Sequence, residues 1–232
     1  MTISVIIPAY NEEKNIPIIV NALRKQTSKN FEVIIVDNNS TDKSYQVAKR
    51  LADKVCSCKI QGISPTRNFG AKKAKGEIIA FLDADSLPSP IWIEQIEKHF
   101  AQNPKLSAMS GLDTYEYYDF FNSSIINAYS YIIFHSLDIM NKYGKSMITA
   151  NNLAIKKEIF DAVGGFDHFV VEDYYLGLKL RKAGAKCKMN PHMKVELSSR
   201  RIQKMGAVRT CWEWLIPLFK KIPSEQYSVV RN

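Results

Sequence analysis

The chain has 232 residues, 46% hydrophobic and 24% charged, with 32 lysines and arginines against 23 acids and a formal charge of +9. This is enough chain to bury one sizeable core and the composition of a soluble globular protein, which excludes a disordered or fibrous one. No charge-free apolar run reaches membrane-spanning length. The basic excess points to phosphate-bearing partners or an anionic membrane surface. Cys56, Cys58, Cys187 and Cys211 are too scattered for a disulfide framework or a zinc site, as expected of thiols in a reducing cytoplasm.

Ile3 to Pro8 predicts a first strand stopped by Pro8, at once and without a basic leader. A loop, Ala9 to Glu13, leads to Asn15 as N-cap of a helix that tolerates Pro17 in its first turn and repeats Ile16, Ile19, Val20 and Leu23 at helical spacing. Phe31 to Val36 is a second strand, closed by Asp37-Asn38-Asn39-Ser40; a helix capped at Ser40 or Thr41 and a short strand from Lys54 follow. Ser64-Pro65 opens a helix that stops at Gly76. Strand and helix alternating at this interval predict an α/β fold, a mostly parallel sheet with crossover helices.

The fourth strand, Ile78 to Leu82, ends in Asp83-Ala84-Asp85. Side chains alternate along a strand, so Asp83 and Asp85 aim two carboxylates into one space. That space lies at the C-terminal end of the sheet, where open α/β folds bind ligands. Two hard oxygen donors suit a divalent cation carrying phosphate; the structural alternative is a strand end followed by an Asp-Ser helix cap. Neither G-x-G-x-x-G after the first strand nor G-x-x-x-x-G-K-[ST] occurs, which makes a hydride-transfer Rossmann enzyme and a P-loop enzyme both poor readings.

Further on, a helix from Ser89, a strand from Leu106 to Tyr118, and one or two helices over Phe120 to Met140 are expected. The last stretch is read either as a cover over the site or as an ordinary core helix. Ser146 to Ile155 reads as a strand, Lys156 to Val163 as a helix, and Val170-Val171-Glu172-Asp173 as the start of another helix ending at Gly184. Acids at a helix start oppose the dipole, so this pair has a structural reading as well as a catalytic one.

SVIIPAYNEEKNI, VIIVDNNSTDKS, TRNFGAKKAKGEIIAFLDADS, AIKKEIFDAVGGFD and VEDYYLGLKLRKAG stand in order over about residues 1 to 190. Together they closely resemble the family-two glycosyltransferases, inverting enzymes of the GT-A fold that use nucleotide-sugar donors. The resemblance implies that residues 1–197 form this domain, about 1–105 binding nucleotide-sugar and metal and 106–197 the acceptor. It places Pro8, Ala9, Tyr10 and Glu12 around the nucleoside, Asp37 and Asn38 at the base edge, and Arg67 near the nucleotide. Many relatives have a second Asp where this chain has Asn38; a UDP-type base remains readable through the amide. Asp83 and Asp85 match the DxD motif, Asp85 binding Mn²⁺ or Mg²⁺ and Asp83 facing the ribose or a metal-bound water. Asp173 matches the catalytic base, a carboxylate that takes the proton of an attacking hydroxyl.

Arg201, in Ser198-Ser199-Arg200-Arg201, is the candidate for the diphosphate, since guanidinium matches phosphate bidentately; the alternative is a solvated basic turn. The QxxRW motif of polymerising relatives is absent, which argues for single transfer. The implied acceptor is a sugar, a lipid-linked glycan or a protein, with no nucleic-acid polymer as partner; oligomeric state is left open. Residues 198–232 carry seven Lys or Arg against two Glu, interleaved with Trp212, Trp214, Leu215, Leu218 and Phe219. This segment suits an anionic membrane, its own domain or a dimer contact, and the protein is expected in the cytoplasm, at most peripheral to the membrane. The rival from another class is an inactive, membrane-associated binding partner of a glycosylation pathway, against which Asp83, Asp85 and Asp173 speak.

Overall fold

A computed structural model describes residues 1–116, 118–169 and 171–212. Its centre is an eight-stranded sheet in the order 54–57, 31–37, 3–9, 78–82, 152–156, 106–115, 186–197 and 86–88. β1 (Ile3–Ala9), β2 (Phe31–Asp37), β3 (Lys54–Ser57) and β4 (Ile78–Leu82) are parallel and linked by helices α1 (Asn15–Arg24), α2 (Ser44–Leu51) and α3 (Ile63–Lys73). Parallel strands covered on both faces must be apolar throughout. Accordingly Ile3, Val5 and Ile7 enter one core cluster with α1, while Ile6, Ile34 and Val36 enter the other.

Beyond β4 the direction reverses. β7 (Asn152–Lys156) runs antiparallel to β4 and to β6 (Leu106–Tyr115), which pairs in parallel with β8 (Lys186–Leu197). A three-residue strand β5 (Ser86–Pro88), which the sequence pattern does not announce, closes the edge against β8. The helices of this half are α4 (Trp92–Gln102), α5 (Phe120–Lys142), α6 (Lys157–Ala162), α7 (Glu172–Lys182) and α8 (Arg200–Met205).

Several local expectations are corrected. Pro8 does not stop β1: its pairing with β4 ends at Ile6, so at Pro8 that side of the strand is open and the missing N–H leaves no ladder bond unmade. Asn15 lies inside α1 rather than capping it, and α2 begins at Ser44, because the chain before it is tied to the preceding loop. The strand expected over 146–155 is shorter: the Asn141 side chain bonds both the N–H and the C=O of Met147, diverting the chain from extended pairing until Asn152. Phe120 to Met140 is one continuous helix, capped by Asp119 accepting from the Asn122 N–H at 2.8 Å. Residues 213–232, with Trp214, Leu215, Leu218 and Phe219, lie outside the described residues.

Candidate active site

The four parallel strands end on the same side of the sheet, and the loops leaving β1 and β2 are knotted together there. Thr41 N–H donates to Asn11 Oδ1 at 2.8 Å, Asn11 N–H to Ser40 Oγ at 3.0 Å and Glu12 N–H to Ser44 Oγ at 2.7 Å. Asn11 and Asn39 sit at φ 55° and 60°, a region asparagine tolerates because its short amide bonds locally. These bonds fix the ends of two strands, Pro8-Ala9 and Val36-Asp37, as a rigid cradle.

Asp37 is buried there, and its Oδ1 has no hydrogen-bond partner among the described residues. A buried acceptor without a donor costs about 1–3 kcal/mol, so this atom is primed for one. Asn38 is used internally: its amide donates to the Cys58 and Ile60 carbonyls at 2.9 and 2.8 Å and accepts from the Gly62 N–H at 2.9 Å. It shapes the loop 58–62 that walls the cradle. Tyr10 stands half exposed over the same opening.

Across the cleft, Arg67 projects from α3 with 2% exposure and holds two acids. Its Nη2 donates to Asp83 Oδ1 and its Nη1 to Glu172 Oε1, both at 2.6 Å, and its face lies 5.6 Å from the Phe166 ring. Burial opposes the guanidinium's charge, but the two carboxylates outweigh it and hold its pKa above the ordinary value. The turn carrying Asp83 and Asp85 is thereby clamped to the first turn of α7. Asp173, next to Glu172, accepts from the Tyr174 N–H at 2.8 Å. Burial pushes the carboxyls of both Glu172 and Asp173 up, against the pull of Arg67.

A second buried cluster forms the floor. Leu82 pairs with Asn152, so Asn151 and Asn152 arrive beside Asp83. Their amides donate to the two oxygens of Asp113, on β6, at 2.8 and 3.1 Å. Asn152 also accepts from the Trp92 indole N–H at 2.9 Å and donates to the Met193 carbonyl at 3.0 Å. Burial, against these amide donors and helped by the nearby Asp83 charge, raises Asp113 to about 6. Sequence reasoning missed this cluster; its signal was a lone acid within an apolar strand and an Asn-Asn pair before another.

The third wall comes from the C-terminal side. Ser86 pairs with Leu197, which delivers the start of α8 to the cleft. Arg200 donates to Asp85 Oδ2 at 2.7 Å and to Glu12 Oε1 at 3.2 Å, linking the acid-bearing turn to the β1 loop. The Arg201 charge acts on the Tyr115 phenol of β6. His192 is exposed.

The profile described as Glycosyl transferase family 2 matches residues 4–164 of this chain. The chain belongs to glycosyl transferase family 2. It is 31% identical over 194 residues, 80% of its length and 72% of the relative's, to the UDP-Glc:alpha-D-GlcNAc-diphosphoundecaprenol beta-1,3-glucosyltransferase WfaP of Escherichia coli. It is 29% identical over 191 residues to an uncharacterized glycosyltransferase of Haemophilus influenzae, spanning 61% of that protein and 77% of itself. Among solved structures it resembles the Pyrobaculum calidifontis mannosyltransferase PcManGT in complex with GDP-Man and Mn²⁺, with TM-score 0.69, 22% identity, and coverage of 84% of this chain and 56% of that one. It also resembles S. aureus TarS 1-349 in complex with UDP-GlcNAc, with TM-score 0.66, 20% identity, and coverage of 86% and 59%. The fold is thus GT-A, as the sequence resemblance implied.

Within this family 2 chain, the loops after β1, β2 and β4 carry Tyr10, Glu12, Asp37, Asp83 and Asp85, and ion pairs of Arg67 with Asp83 and Glu172 and of Arg200 with Asp85 and Glu12 tie those loops to the start of α7, where Asp173 follows Glu172. Asp83 and Asp85 are each about a third exposed there, at 32% of the side chain. Among the described residues no group of three His, Cys, Asp or Glu side chains could hold a metal. The donor set fits a hard divalent cation that takes one or two carboxylates and fills its remaining positions with phosphate oxygens and water. Asp85 already takes a cationic partner, the Arg200 guanidinium.

Proposed function

We propose that this protein transfers one sugar from a nucleoside-diphosphate donor to an acceptor hydroxyl with inversion at the anomeric carbon. The observation that carries the reading is the Arg67 bridge: one buried guanidinium ties the Asp83 turn to the Glu172-Asp173 helix start. A donor held at the turn then presents its sugar toward the helix.

The nucleoside is assigned to the cradle between Tyr10 and Asp37. The ring of Tyr10 offers a stacking face to any base. The free Asp37 oxygen accepts from a base N–H, which a uracil edge supplies, so a UDP-sugar is the first donor to try. Asp85, with Asp83 beside it, would hold a Mn²⁺ or Mg²⁺ ion, which when bound supplies Lewis-acid neutralisation of the leaving diphosphate. Arg200 is placed to move its guanidinium from Asp85 and Glu12 onto a phosphate, a partner it matches equally well.

Asp173 is the base. As the acceptor oxygen bonds to the anomeric carbon, its proton passes to the Asp173 carboxylate. The bond from that carbon to the diphosphate oxygen breaks, and its electron pair leaves with the diphosphate. Attack from the face opposite the leaving group inverts the configuration. Burial keeps the Asp173 pKa raised, which strengthens it as a proton acceptor. Glu172 is occupied by Arg67 and serves as a positioning residue.

The acceptor is proposed to be a lipid-linked glycan, the class named for the WfaP relative, which places the reaction in envelope or glycan assembly at the cytoplasmic face of a membrane. The chain spans about three-fifths of the Haemophilus relative; its donor is read from its own residues and its acceptor from the WfaP relative. The test is a thermal-shift and donor-hydrolysis screen of nucleotide-sugars with and without Mn²⁺. A UDP-sugar should raise the melting temperature only with the metal and release its diphosphate slowly without acceptor. No shift and no release with any donor would overturn the reading.

A further inference from the structure

α5 carries large apolar residues on its uncovered side as well as on the side packed against the protein. Its inner side seats Ser123, Ile126 and Phe134 in the protein, and Ser130 donates to the Asp113 carbonyl at 2.6 Å. Its outer side carries Phe121, Ile132 and Ile139, with Tyr143 at its C-cap, spaced by close to whole numbers of helical turns and between 54% and 80% exposed. A helix with apolar residues on every side is ordinarily buried on every side. Beside its first turns, where Ala207 N–H donates to Asn122 Oδ1 at 2.9 Å, the chain adds Val208 and Trp212, 66% and 65% exposed.

Charge decides what covers this face. Between Phe120 and Tyr143 the sole acid is Asp138, and it is paired with Lys142 at 2.8 Å. Of the four cations between Ser198 and Trp212, Arg200 is held by Asp85 and Glu12 in the cleft, which leaves Arg201, Lys204 and Arg209 to this side. A two-fold contact between copies of this chain would set such a basic border against itself, whereas anionic headgroups would neutralise it. Aromatic rings at both ends of the apolar line, Phe121 and Trp212 at one and Tyr143 at the other, suit the headgroup boundary, where such side chains concentrate.

We propose that the outer face of α5, extended by Val208 and Trp212, is a docking surface for an anionic lipid bilayer. The helix lies in the plane of the interface over its length of about 35 Å, its outer apolar line entering the acyl boundary and its basic flank resting on headgroups. Among the described residues no helix is long and apolar enough to cross a membrane. The inference rests on surface chemistry and stands whether or not the cleft transfers sugar.

The experiment is flotation of the full chain with phosphatidylcholine vesicles, with and without phosphatidylglycerol. The wild type should float only with phosphatidylglycerol and be released by added salt. Ile132→Glu with Ile139→Glu should reduce flotation about tenfold or more without lowering the melting temperature, since both side chains face outward. If that pair proves unstable, Ile132→Ser with Ile139→Ser should show the same direction of loss. Lys204→Glu should weaken flotation and flatten its salt dependence. Three results would each overturn the proposal: no phosphatidylglycerol-dependent flotation, unchanged flotation of both Ile132/Ile139 pairs, or a wild-type dimer that those pairs split into monomers.

Discussion

Arg67 Nη1 stands 2.6 Å from Glu172 Oε1, a contact across 105 residues of sequence made almost entirely out of water. The same guanidinium holds Asp83, so one buried cation carries two carboxylates. Removing it leaves Glu172 largely buried without a counter-charge and Asp83, a third exposed, without its partner. Arg67→Met should therefore cost about 3–5 kcal/mol of folding stability, the usual loss when a buried ion pair is broken on one side. Glu172→Gln should cost less, because Asp83 still balances the arginine. Urea unfolding of the two variants checks the order.

The Asp85 carboxylate is expected to matter for ligand binding rather than folding. Its partner in this structure, Arg200, is half exposed, and exposed pairs contribute little. Asp85→Asn should leave the melting temperature of the free protein nearly unchanged. It should abolish the Mn²⁺-dependent gain given by a nucleoside diphosphate, which for wild type at a hundred times its Kd is about 2.7 kcal/mol. Thermal shift at fixed Mn²⁺, with and without UDP, measures both.

Asp173 gives a prediction in which activity and stability move oppositely. Burial raises its pKa above the ordinary aspartate value. A base must be ionised, so kcat/KM should fall as pH drops through that raised value, giving an acid limb displaced above the ordinary carboxylate range. Folding has the reverse sign. The folded state binds this proton more tightly than the unfolded chain does, so stability is lost as pH rises through the raised pKa. Asp173→Asn removes that cost. It should be more stable than wild type near neutral pH while its transfer rate falls about 10²–10⁴-fold with donor binding retained. pH-rate profiles and urea melts at two pH values check the pair of signs.

How much of this was legible beforehand follows from what each residue's partner is. That Asp83 and Asp85 follow a strand end was legible because the end of an apolar run is a local property, but the two acids lie in the turn after Leu82, so period-two alternation does not describe them. The clamp from Arg67 to Glu172 could not, since nothing in α3 says which acid 105 positions away will meet it. Arg200 and Arg201 are equivalent in composition, and only the β5–β8 pairing that sets the start of α8 decides that Arg200 meets Asp85. Strands β1, β2 and β4 were readable because both faces are buried and the runs are apolar. β5 was not, being three residues held by its partner strand alone. Pro8 misled for a tertiary reason: a proline ends a strand only where a neighbour needs its N–H.

Asn152 joins the two halves of the sheet through its side chain. It accepts from the Trp92 indole, and donates to Asp113 and to the Met193 carbonyl, with Asn152, Trp92 and Met193 themselves buried. Asn152→Ala strands a buried indole N–H and takes a donor from the half-buried Asp113 carboxylate. Each unmet group costs about 1–3 kcal/mol, so the variant should lose a few kcal/mol in all. Asn151→Ala, which removes one donor from Asp113 at a less buried position, should lose less. Chemical denaturation separates them.

Gly111 sets the spacing of that same junction. It lies on β6 where the pairing with β8 changes register between Gly111 and Asp113, and the two backbones come together there. A Cβ at this position would collide with the Met193 carbonyl oxygen and the Asn152 amide, one of them backbone and the other fixed by three hydrogen bonds. Neither can swing aside as a flexible side-chain tip would. Gly111→Ala should therefore destabilise by about 3 kcal/mol or more, an overpacking cost at the upper end of its range. Gly144, at φ 72° with open space where a Cβ would project, is the contrast: Gly144→Asn should cost well under half as much, because asparagine tolerates the left-handed region. Equal losses in the two variants would mean that the β6–β8 approach is not the constraint that holds Asp113 beside Asp83.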